Sequence, residues 1–300
     1  MLTAAIITER VREALREDAP WGDLTAQVAI REDARLSAVL NAREPGVFAG
    51  GDVFAAAFRE LDPSVTVTLL ARDGDRFAAG DVLARVEGPA RSVLTAERIA
   101  LNFTQRMSGI ATLTAQFVAE TAGTTARIAD TRKTTPGLRA FEKHAVRAGG
   151  GFNHRFGLSD AVMVKDNHLA ALGATSAQAV TEALIEIRSS VGHTTTVEVE
   201  VDRLDQVEPV LAAGIPVIML DNFTESELRA GVALIAGRAV VEASGGVSLG
   251  TVAAVARTGV DVISVGLLTH GARALDLGLD AVADSGIAVE PENARDTQRG

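Results

Sequence analysis

The stretch TVEVEVDRLDQVEPVLAAGIPVIMLDNFTESELRAGVALIAGRAVVEAS runs from Thr196 to Ser244. It holds three short β-branched or apolar runs, 196–201, 217–221 and 240–244, separated by helical patterns at 203–213 and 225–236. Runs this short and this apolar read as strands buried on both faces. Strands that alternate with helices at this spacing lie parallel, joined by right-handed crossovers. The pattern extends outward to strands at 126–130, 161–166 and 261–265, and to helices at 175–190 and 248–258. The class is α/β, and the choice left is barrel or open sheet. Asp130, Lys165, Glu200, Asp221, Glu242 and Ser244 stand at or just before the ends of five successive strands. In a barrel all these ends share one mouth, whereas an open sheet brings together only those beside a switch point. Polar residues at this many strand ends in series favour the barrel.

The first third is different. A helix near 3–17, strand-like runs in ARLSAVLNARE and SVTVTLLARDG, and a helix near 52–61 form an α+β pattern. A long helical region from Ser92 to Glu120 follows, and Ser108-Gly109 predicts a break or kink in it. The polar end, PENARDTQRG, predicts fraying.

The 300 residues include 47% hydrophobic and 23% charged residues, ample for a sizeable core. The net charge of −10 argues against broad nucleic-acid binding. With no cysteine, disulfides, thiolate catalysis and Cys-type zinc sites are excluded. No run reaches the length of a membrane span, and the N-terminus reads as an amphipathic helix. The expectation is a soluble, cytoplasmic protein.

Against the acidic background, residues 129–168 carry seven Lys and Arg against four acids. Arg132 and Lys133 follow one strand, His154 and Arg155 follow the triple glycine 149–151, and Lys165 ends the next strand. Arginine forks and lysine point charges so placed suit a small substrate with several negative groups. Arg139, Lys143 and Arg147, on a helix at 136–148, read as a solvated face. Ser244-Gly245-Gly246 and Ser264-Val265-Gly266, with His270 beyond, follow the last two strands; glycine turns at this place read as a phosphate pocket. Glu200 and Asp221 end neighbouring strands, with Glu198 a second candidate on the same side-chain face. They could hold Mg²⁺ or ribose hydroxyls, act as an acid/base pair, or form an ion pair with Lys165. No GxGxxG, Walker A or HExxH sequence is present.

Several blocks together carry a resemblance: GDLT (22–25), ERIALNFTQRMSGIAT (97–112), DTRKTTPGLRAFEKHAVRAGGGFNHR (130–155), VKDNH (164–168), VEVEV (197–201), LDNF (220–223), EASGG (242–246) and ISVG (263–266). In these the chain resembles the decarboxylating quinolinate phosphoribosyltransferase family over nearly its whole length. The resemblance implies an N-terminal α/β sandwich over 1–110, joined by 273–300, and an incomplete, seven-stranded α/β barrel over 111–272. It implies the joining of quinolinate to phosphoribosyl pyrophosphate with Mg²⁺, giving nicotinate mononucleotide, pyrophosphate and CO₂. By matching motif positions it puts Arg132, His154, Arg155 and Lys165 around the quinolinate carboxylates, with Lys133 on the phosphate side. Lys133, Lys165, Glu200 and Asp221 become the catalytic set, with Glu200 and Asp221 at the ribose hydroxyls and metal. Ser244, Gly245, Gly246, Ser264, Val265, Gly266 and His270 take the 5′-phosphate. It also implies a homodimer in which Arg98 reaches the partner's site. The family commonly has Tyr where this chain has His144, which is read as a packing change. A relative associated with molybdenum transport operons, and a non-catalytic phosphate sensor on the same scaffold, are the competing readings. The complete basic set argues against the first, and the two acids beside it argue against the second.

Overall fold

The computed structural model describes residues 2–282; residues 283–300, which include the polar end, lie outside the described residues. Strands β1 (Arg35–Ala42), β2 (Gly46–Val47), β3 (Thr66–Leu69), β4 (Arg76–Phe77) and β5 (Val82–Pro89) precede the barrel strands. Those are β6 (Arg127–Ala129), β7 (Val162–Val164), β8 (Val197–Val201), β9 (Val217–Asp221), β10 (Val240–Ser244) and β11 (Val262–Ser264), and β12 (Leu277–Ala281) follows. The helices are α1 (Ala4–Asp18), α2 (Leu24–Ala29), α3 (Gly51–Leu61), α4 (Ala90–Glu120), α5 (Arg139–Ala148), α6 (Asp166–Ala171), α7 (Ala177–Ser189), α8 (Val207–Ala212), α9 (Glu225–Ile235), α10 (Val252–Ala256) and α11 (Leu267–His270).

The N-terminal sheet is antiparallel, in the order β12-β1-β5-β3. Its last member, β12, arrives from beyond the barrel and pairs along β1 from Ala38↔Ala281 to Ala42↔Leu277. Phe48, Phe54 and Phe58 are fully buried in this half of the chain. Asp73 Oδ1 accepts from the N–H groups of Gly50 (3.0 Å) and Gly51 (3.1 Å) at the start of α3. His144 Nε2, from α5, lies 2.6 Å from Asp73 Oδ2, so His144 ties the barrel's first helix to α3 as a packing residue.

The expected break at Ser108-Gly109 does not occur. Helix α4 runs unbroken for 31 residues. A methyl group on Gly109 would stand 1.9 Å from the Arg273 carbonyl oxygen, and Ser108 Oγ accepts from Ala49 N–H at 3.1 Å. The small pair is there because two chain segments approach the helix, and helical hydrogen bonding is kept.

The barrel sheet is wholly parallel, in the order β6-β11-β10-β9-β8-β7. The seventh strand that the resemblance implies is a single parallel bridge, Phe152 to Ala129. The ring of Phe152 lies under the guanidinium groups of Arg127 (4.9 Å) and Arg147 (4.8 Å). Among the described residues nothing pairs with the outer edge of β7, so the barrel is open between Phe152 and Val162.

Candidate active site

Alternation along a strand sends every second side chain inward, and the inward residues of neighbouring strands stack in layers. Glu200, Met219, Asp221, Ser244 and Ser264 thus meet at the C-terminal mouth, where Thr131, Arg132, Lys133, His154, Arg155, Met163 and Lys165 complete a cavity of about 400 Å³. Four of the six polar residues near strand ends, Lys165, Glu200, Asp221 and Ser244, face this mouth. The other two do not.

Asp130 is fully buried. Its carboxylate takes the ammonium of Lys143, the side-chain amide of Asn153 (2.6 Å) and the backbone N–H of His154 (2.9 Å). Lys143, expected on a solvated face, is itself buried and also donates to the His154 carbonyl at 3.0 Å. The two charges pin the Asn153–Arg155 loop to α5. Burial pushes the Asp130 carboxyl up and the Lys143 ammonium down, more strongly than their mutual attraction opposes it.

Glu242 is the second exception. It sits one layer below Ser244, buried, with Ser264 Oγ donating to its carboxylate. Glu198, the second metal candidate, lies in the same lower layer, beneath the mouth and outside its lining. Its Oε2 is 3.0 Å from His154 Nε2, and Glu242 Oε1 is 3.5 Å from the same nitrogen. Burial, together with the charge of Glu198, pushes Glu242 up to about 7. Burial opposes a charge on His154, but Glu198 and Glu242 outweigh it and raise its pKa. The contact at Nδ1 works the other way. It accepts Arg155 N–H at 2.7 Å and needs a lone pair, which favours a neutral ring with its proton on Nε2.

The cations of the mouth are nearly uncompensated. Lys165 pairs with Glu200. Among the described residues Arg132, Lys133 and Arg155 have no acidic partner within 4.0 Å. Burial, then the charge of Arg132, lowers the pKa of Arg155, so the two guanidinium groups feel each other across one space. An anion with more than one negative group answers that repulsion. Glu200 and Asp221 present only oxygen donors, few enough to leave positions for waters and substrate oxygens, as Mg²⁺ requires. Asn222 Nδ2 already donates to Asp221 at 2.6 Å, and Lys165 to Glu200.

The turn residues follow the mouth unequally. Gly245 has φ +94°, and a side chain there would meet Asn222 Oδ1 at 2.2 Å, so only glycine fits. Among the described residues none accepts from the N–H of Gly245 or Gly246, which leaves both able to bind an anion. Val265 is different: it is buried and its N–H goes to the Ala129 carbonyl at 2.9 Å. Ser264 turns its hydroxyl inward to Glu242. At Gly266 an added methyl would lie 3.0 Å from Lys133 Cδ and 3.3 Å from His270 Nε2. Thr269 Oγ1 donates to the Lys133 carbonyl at 2.7 Å, tying the two loops. Arg106, absent from the sequence reading, donates to the Thr269 and Ala272 carbonyls and to buried Glu142. Arg98 is exposed on α4 and lies outside the cavity of its own chain.

The N-terminal domain profile of quinolinate phosphoribosyl transferase matches residues 23–108, and the C-terminal domain profile matches residues 110–280. The probable nicotinate-nucleotide pyrophosphorylase (carboxylating) of Bacillus subtilis strain 168 is 44% identical over 264 residues, 88% of this chain and 89% of that protein. The nicotinate-nucleotide pyrophosphorylase (carboxylating) of Mycobacterium leprae is 44% identical over 278 residues, 91% of this chain and 96% of that one. The crystal structure of NadC from Streptococcus pyogenes superposes with a TM-score of 0.88 at 41% identity, covering 94% of this chain and 99% of that one. With both domain profiles matched in order and relatives of this identity along nearly the whole length, the chain belongs to the quinolinate phosphoribosyltransferase family.

Proposed function

We propose that the chain transfers phosphoribosyl from phosphoribosyl pyrophosphate to quinolinate with decarboxylation, giving nicotinate mononucleotide, pyrophosphate and CO₂. The observation that supports this reading is the mouth with three cations lacking acidic partners. Quinolinate is a dianion and its co-substrate carries more charge still. Arg132, Arg155 and Lys165 hold the two carboxylates, and Lys133 stands toward the phosphates. The N–H groups of Gly245 and Gly246 take the 5′-phosphate. Glu200 and Asp221 hold the ribose hydroxyls and Mg²⁺, which when bound helps neutralise pyrophosphate charge. The C1–O bond of the ribose breaks and pyrophosphate leaves with the electron pair. The pyridine nitrogen then bonds to C1 and becomes cationic. That charge stabilises the electron pair left on C2 when CO₂ departs, and C2 takes a proton. The chain contributes positioning and electrostatic stabilisation, with no side chain acting as nucleophile.

The working unit in this reading is a homodimer. The open barrel edge at β7 carries exposed Leu158 and Leu172, and α2 with its preceding turn exposes Trp21 (93%), Leu24 and Val28. Helix α2 is held against α4 by Arg91, whose guanidinium donates to the Ile30 carbonyl, two turns of α4 before Arg98. An apolar ledge beside Arg98 suits the partner's open barrel edge, and Arg98 then enters the partner's mouth.

The test is product formation with quinolinate, phosphoribosyl pyrophosphate and Mg²⁺, with nicotinate in parallel and CO₂ followed. Nicotinate mononucleotide and CO₂ from quinolinate alone are expected. Product from nicotinate instead would mean that the basic wall is misassigned.

A further inference from the structure

Beneath the mouth lies a polar group of side chains that the reaction described above does not use. Glu198 from β8 and Glu242 from β10 converge in the barrel interior on the ring of His154, and Ser264 from β11 donates to Glu242. All three are more than nine-tenths buried. Burying two carboxylates side by side is costly unless something answers them. One oxygen, Glu198 Oε1, has no partner at all. A purely structural core would be served better by apolar residues at these positions.

Each contact leads upward to a residue of the mouth. His154 Nε2 reaches both glutamates, while its Nδ1 accepts the N–H of Arg155, which fixes the backbone that carries one fork of the basic wall. Ser264 leads to the last glycine turn, where Gly266 touches the chain of Lys133. Glu198 pairs with His154 and lies against the Glu242 carboxylate, but has no bond to Ser264. Glu242 touches both branches.

We infer that Glu242 and Glu198 are positioning residues, which hold the carboxylate-binding wall and the phosphate turn in register from below through His154 and Ser264. Neither touches substrate. This rests on the proposed reaction, and it makes a pattern that a general loss of stability would not make. Glu198→Ala loosens His154 and Arg155 alone. Glu242→Ala loosens both branches.

The experiment measures KM for quinolinate and for phosphoribosyl pyrophosphate separately in the full-length chain. Glu198→Ala is expected to raise KM for quinolinate about tenfold and leave that for phosphoribosyl pyrophosphate within twofold. Glu242→Ala is expected to raise both. Glu198→Gln and Glu242→Gln keep an oxygen that can accept, and are expected to restore most of the loss. A second reading does not need turnover, nor the alanine variants to fold. The ¹⁵N spectrum of the histidine rings, with His154 assigned by its loss in His154→Gln, should show a protonated Nε2 and an accepting Nδ1. A protonated Nδ1 would overturn the inference. So would equal effects of the two alanine variants on both constants, or alanine variants with unchanged constants. If the wild-type chain were silent with quinolinate, the proposed reaction would fall, and the ring spectrum would still decide the positioning.

Discussion

Lys143→Met is the sharpest test of how the Asn153–Arg155 loop is held. Methionine keeps the length of the side chain and removes its charge and donors. Both members of the Lys143–Asp130 pair are buried, and burial already works against each charge. The pair as a whole is therefore near balance, but half of it is not. Removing one partner of a buried pair costs about 3–5 kcal/mol. Asp130 would keep Asn153 Nδ2 at 2.6 Å and His154 N–H at 2.9 Å, which places the loss near the lower end. The lost bond to the His154 carbonyl adds about 1 kcal/mol. The expected total at pH 7 is about 4 kcal/mol, read as a fall in the urea midpoint with the slope unchanged. The sign of the pH dependence follows from Asp130. In the unfolded chain it loses its proton near 3.8, whereas in the folded chain its pKa is raised, and the loss of Lys143 raises it further. Between those two values the unfolded chain binds fewer protons, so stability falls as pH rises. The deficit should be smaller near pH 4 than at neutrality. Asp130→Asn added to Lys143→Met removes both charges and should recover most of it. A deficit below about 1 kcal/mol at pH 7, or an equal deficit at both pH values, would refute the argument.

Gly109→Ala should destabilise by at least about 1 kcal/mol, although alanine is the better helix former by about that amount. Overpacking against the Arg273 carbonyl decides the sign, and a urea midpoint at or above wild type would show that the segment simply moves aside. Arg132→Ala should raise KM for quinolinate roughly 10- to 100-fold, from one or two charged hydrogen bonds of about 1.5–3 kcal/mol. An unchanged quinolinate KM with a raised phosphoribosyl pyrophosphate KM would reassign the residue. Arg98→Ala and Lys165→Ala should each be nearly inactive, while mixed and re-formed dimers recover activity at one of their two sites. No recovery in verified heterodimers would mean that Arg98 does not cross between subunits.

The parallel barrel was legible because its signals are local. Five-residue β-branched runs, intervening helical spacing and polar residues at the strand ends are all properties of neighbours in sequence. Arg132, Lys133, Arg155, Lys165, Glu200 and Asp221 could be placed at one mouth for the same reason: strand ends in a parallel barrel must converge. Ser108-Gly109 was misread because a small pair inside a helix looks alike whether the helix breaks or another backbone presses on it. Only Arg273, 164 positions further along, distinguishes the two.

Lys143 and Glu242 show the remaining limit. A lysine on an amphipathic helix and a glutamate near a strand end carry no local mark of burial. Lys143 is buried because Asp130 and the His154 carbonyl lie where α5 closes over β6. Glu242 is buried because it falls one pleat short of the mouth, where β10 and β11 bring Ser264 against it. The sequence by itself determined the fold class and most of the residues that meet at the barrel mouth. The tertiary structure alone decided which charges meet solvent and which meet each other. Side-chain direction repeats within a strand, but depth in the barrel depends on how neighbouring strands are staggered.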